Sequence, residues 1–201
     1  MFSHRQQTAI DQYLAHYSEP DGFEITLNRQ FAQVLVIPAY SERPATLTRL
    51  WAEMPTDSLL ILVINAPAYH PKTLALLAHF EAFCTRPGPH ASWQTSLQKH
   101  KAGLVVINRC HPGAYIPERQ GVGLARKIGA DIALKPINEG IVQSPIIHST
   151  DADAHLPKDY FTQTQPSDAA GWVYAYRHRL PTPEHLKTAM RLYELKLSHF
   201  T

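Results

Sequence analysis

Apolar positions along this chain follow two rhythms. Short unbroken runs occur at 33–37, 59–64, 104–107 and 145–147. Runs this short and continuous predict strands buried on both faces, as in a parallel sheet. Between them, apolar residues recur every three or four positions, which predicts helices. Ile10, Leu14 and Tyr17 mark an amphipathic helix over 4–17, closed by the turn residues Pro20, Asp21 and Gly22. Leu47, Leu50 and Trp51 mark a second, from Pro44 to about Met54. Leu74, Leu77, Ala78 and Phe80 mark a third, opened by Pro71. Proline suits the first helical turn, where its missing N–H costs nothing. Val122, Ala125, Ile128 and Ile132 form the apolar face of a fourth helix over 121–134. Leu186, Met190, Tyr193 and Leu197 form that of a last one over 183–200. Trp172–Tyr176 reads as a fifth strand and 157–164 as a single helical turn. Residues 85–101 are polar and contain proline, and read as a connection.

Strands alternating with helices predict βαβ units and a mainly parallel, doubly wound, Rossmann-like sheet between helices. With 201 residues the chain suits a single domain, with 1–32 as an N-terminal helix and lead-in and 183–201 as a C-terminal helix. A hydrophobic content of 44% with 18% charged residues marks a globular chain. The formal net charge of +2 gives no basis for a nucleic-acid partner. No apolar run reaches the ~18 residues that span a bilayer, and the polar start at 1–7 has no signal-peptide core, so a cytoplasmic protein is expected. The basic side of the last helix suits two readings, docking on the sheet, which is favoured, and peripheral contact with the inner face of a membrane through 183–200. Cys84 and Cys110 lack zinc spacing and read as inert thiols.

In doubly wound sheets, ligands bind beyond the carboxyl ends of the strands, where the strand order reverses. Three chemically suggestive segments fall at such ends: Pro38–Glu42, Asn65 and Asp151–Asp153. Asp151 and Asp153, two apart on an extended chain, point to the same side. Hard cations such as Mg²⁺ and Mn²⁺ take oxygen ligands and leave positions for substrate phosphates. A lone Asp-x-Asp is usually an ordinary acidic turn; the agreement of three distant segments favours a site. Other phosphate motifs fail. Gly121-x-Gly123 has Arg126 where a dinucleotide fingerprint needs its third glycine, and neither a P-loop nor an EF-hand is present. The loop 108–120 is long enough to suggest function, with His111 as a solvent-facing ligand candidate. His148 and His155 flank the acidic motif; a lone histidine is more often structural, and His155 is the better candidate for a metal or phosphate contact.

Four segments together resemble the family 2 glycosyltransferases, which have the GT-A fold. Val34–Ile37 followed by Pro38, Ala39, Tyr40, Ser41 and Glu42 is similar to the family's first strand and its Pro-x-Tyr-Asn-Glu loop. Leu60–Asn65 resembles the second strand, which usually ends in Asp. Gly121–Gly129, with Ala125 and Arg126, is similar to the Gly-x-Ala-Arg-Asn-x-Gly helix, and Thr150–Asp153 to the Asp-x-Asp motif. The departures are Ser41 for Asn, Asn65 for Asp and Lys127 for Asn. The resemblance implies that Pro38, Ala39, Tyr40, Glu42 and Asn65 line a nucleoside pocket, with Tyr40 against the base. It implies that Arg126 reaches the diphosphate or sugar, that Asp151 lies near ribose or metal, and that Asp153 is the firmest ligand for Mn²⁺ or Mg²⁺. The implied activity is metal-dependent, inverting transfer of a sugar, hexosyltransferase-type, from a nucleoside-diphosphate sugar. A UDP-sugar is the first choice of donor; the acceptor is an unspecified glycan, lipid or small molecule.

The chemistry is consistent with that implication. As a glycosidic bond to a diphosphate breaks, the leaving group gains negative charge, which a divalent cation and an arginine can stabilise. An inverting reaction also needs a base for the acceptor hydroxyl. After Asp168 the only carboxylates are Glu184 and Glu194, and neither matches the family's later acidic motif. The chain is therefore expected to be incomplete as a catalyst. Two alternatives follow: a nucleotide-sugar-binding domain without turnover, and a GT-A-like nucleotidyltransferase.

Overall fold

Uninterrupted β-branched and leucine-rich segments can bury both faces only inside a sheet covered on each side, and that is where they lie. The computed structural model describes residues 2–19, 25, 27–85, 93–98, 101–163, 170–174, 177–178 and 183–197. Its elements run α1 (His4–His16), β1 (Gln33–Ala39), α2 (Pro44–Glu53), β2 (Ser58–Asn65), α3 (Pro71–Glu81), β3 (Trp93–Ser96), β4 (Gly103–Arg109), α4 (Gly121–Asn138), β5 (Ile147–Ser149) and α5 (Glu184–Leu197). The strand order is β3-β4-β2-β1-β5. β4, β2, β1 and β5 are parallel, in register Val34 to Leu59 to Gly103 and Val34 to Ile147. The chain steps outward from β1 to β2 and β4, then crosses back to place β5 on the other side of β1. The strand order therefore reverses between β1 and β5.

Alternate residues of each strand project to opposite faces. Val34, Val36, Leu59, Ile61, Val63, Val105 and Ile107 meet Ala125, Ile128, Ile132, Ala133 and Ile137 of α4 in one core. On the other face, α3 contacts β2 and β4, and α2 packs on α3. There Trp51 lies 6.5 Å from Phe80, and its indole N–H donates to the Ala102 carbonyl at 2.9 Å. α4 lies close on the sheet because Gly129 faces Val36 and Val63. A Cβ at that position would overlap the Val36 side chain and come within 3.1 Å of Val63.

Four expectations need correction. First, the supposed connection over 85–101 contains β3, an antiparallel edge strand on β4. Its sequence is polar, its outer side carries a bridge from Thr95 to Thr85, and Gln94 and Ser96 are buried, so no apolar run announces it. Second, Trp172–Tyr174 has no strand pairing, while Ala175 and Tyr176 lie outside the described residues. Third, α4 continues past residue 134 to Asn138, with Pro136 inside its last turn. Fourth, Val122 is 51% exposed and does not belong to the apolar face of α4.

α1 forms as the periodicity predicts and is opened by a capping box of Ser3 and Gln6, yet none of its residues is fully buried. Polar contacts attach it instead. Asp131, buried on α4, accepts from the Tyr13 hydroxyl at 2.7 Å, from the Glu19 backbone N–H at 2.9 Å and from Lys127 at 2.9 Å. Lys127 also pairs with Glu19 at 3.0 Å and donates to the Tyr17 carbonyl at 2.7 Å. Desolvation draws the Lys127 ammonium down, but its bonds to Asp131 and Glu19 outweigh that and raise it above the ordinary lysine value. Contacts divide the chain into two compact units, Met1–Phe161 and Thr162–Thr201, and the sheet lies wholly in the first. Among the described residues no helix is long and apolar enough to cross a membrane.

Gly129→Ala should lower stability by about 1–3 kcal/mol, the usual cost of overpacking, less whatever alanine's better helix propensity returns. Gly123→Ala, where a Cβ meets nothing within 4 Å, should be neutral or stabilising by up to about 1 kcal/mol. Thermal melts of the two variants check this. A Gly129→Ala melt at or above the wild type would show that α4 can retreat from the sheet without cost.

Candidate functional site

The parallel register aligns the ends of three strands. Ala39, the last residue of β1, stands beside Ile64, so Asn65 ends β2 next to it. On the other side Val36 pairs with Ser149, and the Thr150 N–H donates to the Val36 carbonyl at 3.3 Å, carrying the chain into Asp151 abreast of the loop after β1. These ends enclose a cleft of about 370 Å³. Its lining includes Pro38, Ala39, Tyr40, Glu42, Asn65, Asp151 and Asp153. Of the residues the family resemblance implies for the site, all line it except Arg126. In the turn after β5, Ala152 is buried while Asp151 and Asp153 are exposed, as the two-residue spacing predicts.

Arg126 sits one turn into α4 and donates to Asp151 from its Nη2. Both side chains are substantially exposed, at 41% and 63%, so the pair adds little to stability and either partner is free to exchange. Lys127, next to it, faces away from the cleft into the α1 attachment. Burial raises the Glu42 carboxyl above the usual glutamate range, and the negative fields of Asp153 and then Asp151 add to the shift.

Several lining residues were not anticipated. Glu118 and Ile116 come from the long loop before α4, whose Ile116 N–H donates to the Ala66 carbonyl at 3.0 Å and so folds the loop back over the end of β2. The length of that loop was the available signal. Gly121, at φ +37°, and Val122 bring the start of α4 to the cleft. Glu42, Glu118, Asp151 and Asp153 give the cleft four carboxylates, and among the described residues no lysine, arginine or histidine lines it. Among the described residues no three or more His, Cys, Asp or Glu side chains group closely enough to hold a metal ion unaided.

The loop after β1 has an unusual backbone. Ser41 adopts φ +59°, a left-handed conformation in which Asn is enriched over most residues. Its N–H donates to Thr73 Oγ1 at 3.1 Å, tying the loop to the first turn of α3.

The histidines outside the cleft have local roles. His148 is buried, which lowers its basicity, and its ring packs against Tyr160 and Phe161 at 5.4 and 5.1 Å. His155 is exposed and stands 3.4 Å from Arg49 Nη2, and His111 is exposed with Nδ1 3.0 Å from the Pro112 carbonyl. Neither lines the cleft. Burial and the Glu81 charge push the Cys84 thiol up to about 12, and burial takes Cys110 to about 11, so both stay protonated and unreactive at neutral pH. In comparisons with known proteins, no family model, no curated protein and no solved structure matches this chain.

Glu42→Gln should stabilise the fold at neutral pH. A raised carboxyl contributes its full stability below its unfolded value of about 4.3 and loses it as pH rises through the folded value. The advantage of the glutamine variant should therefore vanish below about pH 4. Urea denaturation at both pH values checks this, and a glutamine variant less stable than wild type at pH 7 would contradict it.

Proposed function

We propose that this cleft binds a nucleoside diphosphate, or its sugar conjugate, together with a divalent cation, as the donor half of a GT-A-type glycosyltransferase. The observation that carries the reading is the position and charge of the cleft. It opens at the point where the strand order reverses, between the carboxyl ends of β1 and β5, where such sheets take ligands. Its volume lies within the range of small-molecule sites. Tyr40, 44% exposed at the lip, offers an aromatic face to a base, and buried Asn65 offers a carbonyl and an amide.

Four carboxylates would repel a bare diphosphate. A hard cation reconciles the two, and the donor set suits one: all oxygen, incomplete without the ligand's phosphates, and mutually repelling at Glu42. Asp153 and Asp151 would hold Mn²⁺ or Mg²⁺, and Arg126, exchanging Asp151 for phosphate, would add a cationic contact. When bound, the cation supplies Lewis-acid stabilisation of the departing diphosphate.

A second reading, binding without sugar transfer, is favoured by the two carboxylates that follow Asp168. Glu184 pairs with Lys187 at 2.9 Å. Glu194 accepts from the His178 backbone N–H at 2.6 Å, a bond that lowers its basicity. Both have local partners. Incubating UDP-sugars with a panel of glycan, lipid and small-molecule acceptors separates the readings: acceptor-dependent transfer supports the first, and ligand binding without turnover the second.

UDP with Mn²⁺ at about 100 times the dissociation constant should stabilise the fold by about 2.7 kcal/mol, a rise of roughly 5–10 °C in Tm. EDTA should remove it, and Asp153→Asn should lose most of the metal-dependent part while the apo protein stays folded. Retention of the full Mn²⁺-dependent shift by Asp153→Asn would reduce Asp151–Asp153 to an acidic turn. Arg126→Ala should weaken UDP by about 1.5–3 kcal/mol, the scale of a charged hydrogen bond, and leave uridine nearly unchanged, as read by titration calorimetry. Equal losses for both ligands would place Arg126 away from the phosphates.

A further inference from the structure

We infer that His70, which does not line the cleft, is the residue that positions its aromatic lip. His70 caps α3: its Nδ1 accepts from the Thr73 backbone N–H at 3.3 Å. The same nitrogen lies 2.9 Å from Thr73 Oγ1. That oxygen also accepts the Ser41 N–H, and because Nδ1 already accepts the Thr73 N–H, the Thr73 hydroxyl is the donor to it. Two donors converge on one ring nitrogen, which requires Nδ1 to be unprotonated and places the ring proton on Nε2. The imidazole also lies against Tyr40, with centroids 4.9 Å apart and planes inclined by 48°.

One side chain therefore holds the loop after β1 in two ways. Through Thr73, which is fully buried, it secures the N–H of Ser41 in the left-handed conformation that turns the chain between Tyr40 and Glu42. Through its ring it backs Tyr40, the aromatic side chain that lines the cleft among the described residues. Without the cap acceptor, Thr73 loses a fixed orientation and the strained Ser41 loses the bond that offsets its backbone cost. The role of His70 in ligand affinity rests on the cleft being the ligand site; its role in ordering the loop does not.

Three variants separate the two connections. His70→Asn keeps a good cap without the ring, His70→Phe keeps a ring without the acceptor, and His70→Ala removes both. Amide hydrogen exchange on the full chain reads the loop directly. Ser41 and Thr73 should exchange at least about tenfold faster in His70→Ala and His70→Phe, and His70→Asn should restore protection to within about threefold of wild type. The amides of Ile61 and Leu62 in β2 should not change. Unchanged protection at Ser41 in His70→Ala, or an equal loss at β2, would overturn the inference, the second by showing only a global loss of stability. Titration with UDP and Mn²⁺ should show affinity falling about tenfold or more in His70→Ala, with smaller losses in His70→Asn, which lacks the ring, and in His70→Phe, which lacks the acceptor. Absence of UDP binding by the wild type would count against the ligand reading alone, because the exchange pattern decides the positioning role without any ligand.

Discussion

Everything at the cleft depends on how closely α4 approaches the sheet. Gly129 removes the one side chain that would hold the helix off β1 and β2, and Val36 and Val63 occupy the space. Arg126 precedes Gly129 by three residues and lies near the same face, so the close approach carries its guanidinium over the β1–β5 edge to Asp151. The same approach fixes the start of the helix, where Gly121 and Val122 close the end of the cleft. A helix standing further out would keep its own hydrogen bonds and lose all of these relations. One missing methyl group thus links core packing to the geometry of the site.

Charge is distributed unevenly around that helix. On its outer side, Asp131 and Lys127 compensate each other and attach α1 through hydrogen bonds. At its cleft end, the carboxylates of Glu42, Glu118, Asp151 and Asp153 face Arg126, which pairs with Asp151 alone. The first arrangement is satisfied within the protein. The second leaves negative potential focused in a concave space, where low-dielectric walls strengthen it. A chain whose overall charge is nearly balanced thus presents a locally acidic cleft, invisible in the net figure of +2.

What the sequence revealed follows from the physics of each element. β1, β2 and β4 are buried on both faces, so each had to be apolar throughout and was easy to read. β3 buries alternate polar residues at a sheet edge, so it had no such signature. The fifth strand expected at Trp172–Tyr176 shows the reverse error: aromatic and β-branched residues favour strands, but Trp172–Tyr174 form no strand. Within the cleft, residues next to strand ends were legible because a parallel sheet places ligands there. Glu118 and Ile116 were not, because only the fold-back of a long loop brings them in. His70 was not, because its effect passes through Thr73 and Tyr40. Lys127 adjoins Arg126 in sequence, yet one residue around a helix turns the side chain about 100° away, into the α1 attachment.

The placement of β5 has a consequence for how the molecule assembles. β1, β2 and β4 are near neighbours in the order of the chain, whereas β5 must return from the far end of the unit to pair with β1 through three residues. Among the strand pairings this contact closes the longest loop and gains the least backbone pairing, so loop-closure entropy makes it the last of them to become favourable. Asp151 and Asp153 ride on that late strand. The side of the cleft built from Tyr40, Glu42 and Asn65 rests on β1 and β2, whereas Asp151 and Asp153 arrive only with the crossover to β5, so the site is complete only once that pairing has formed.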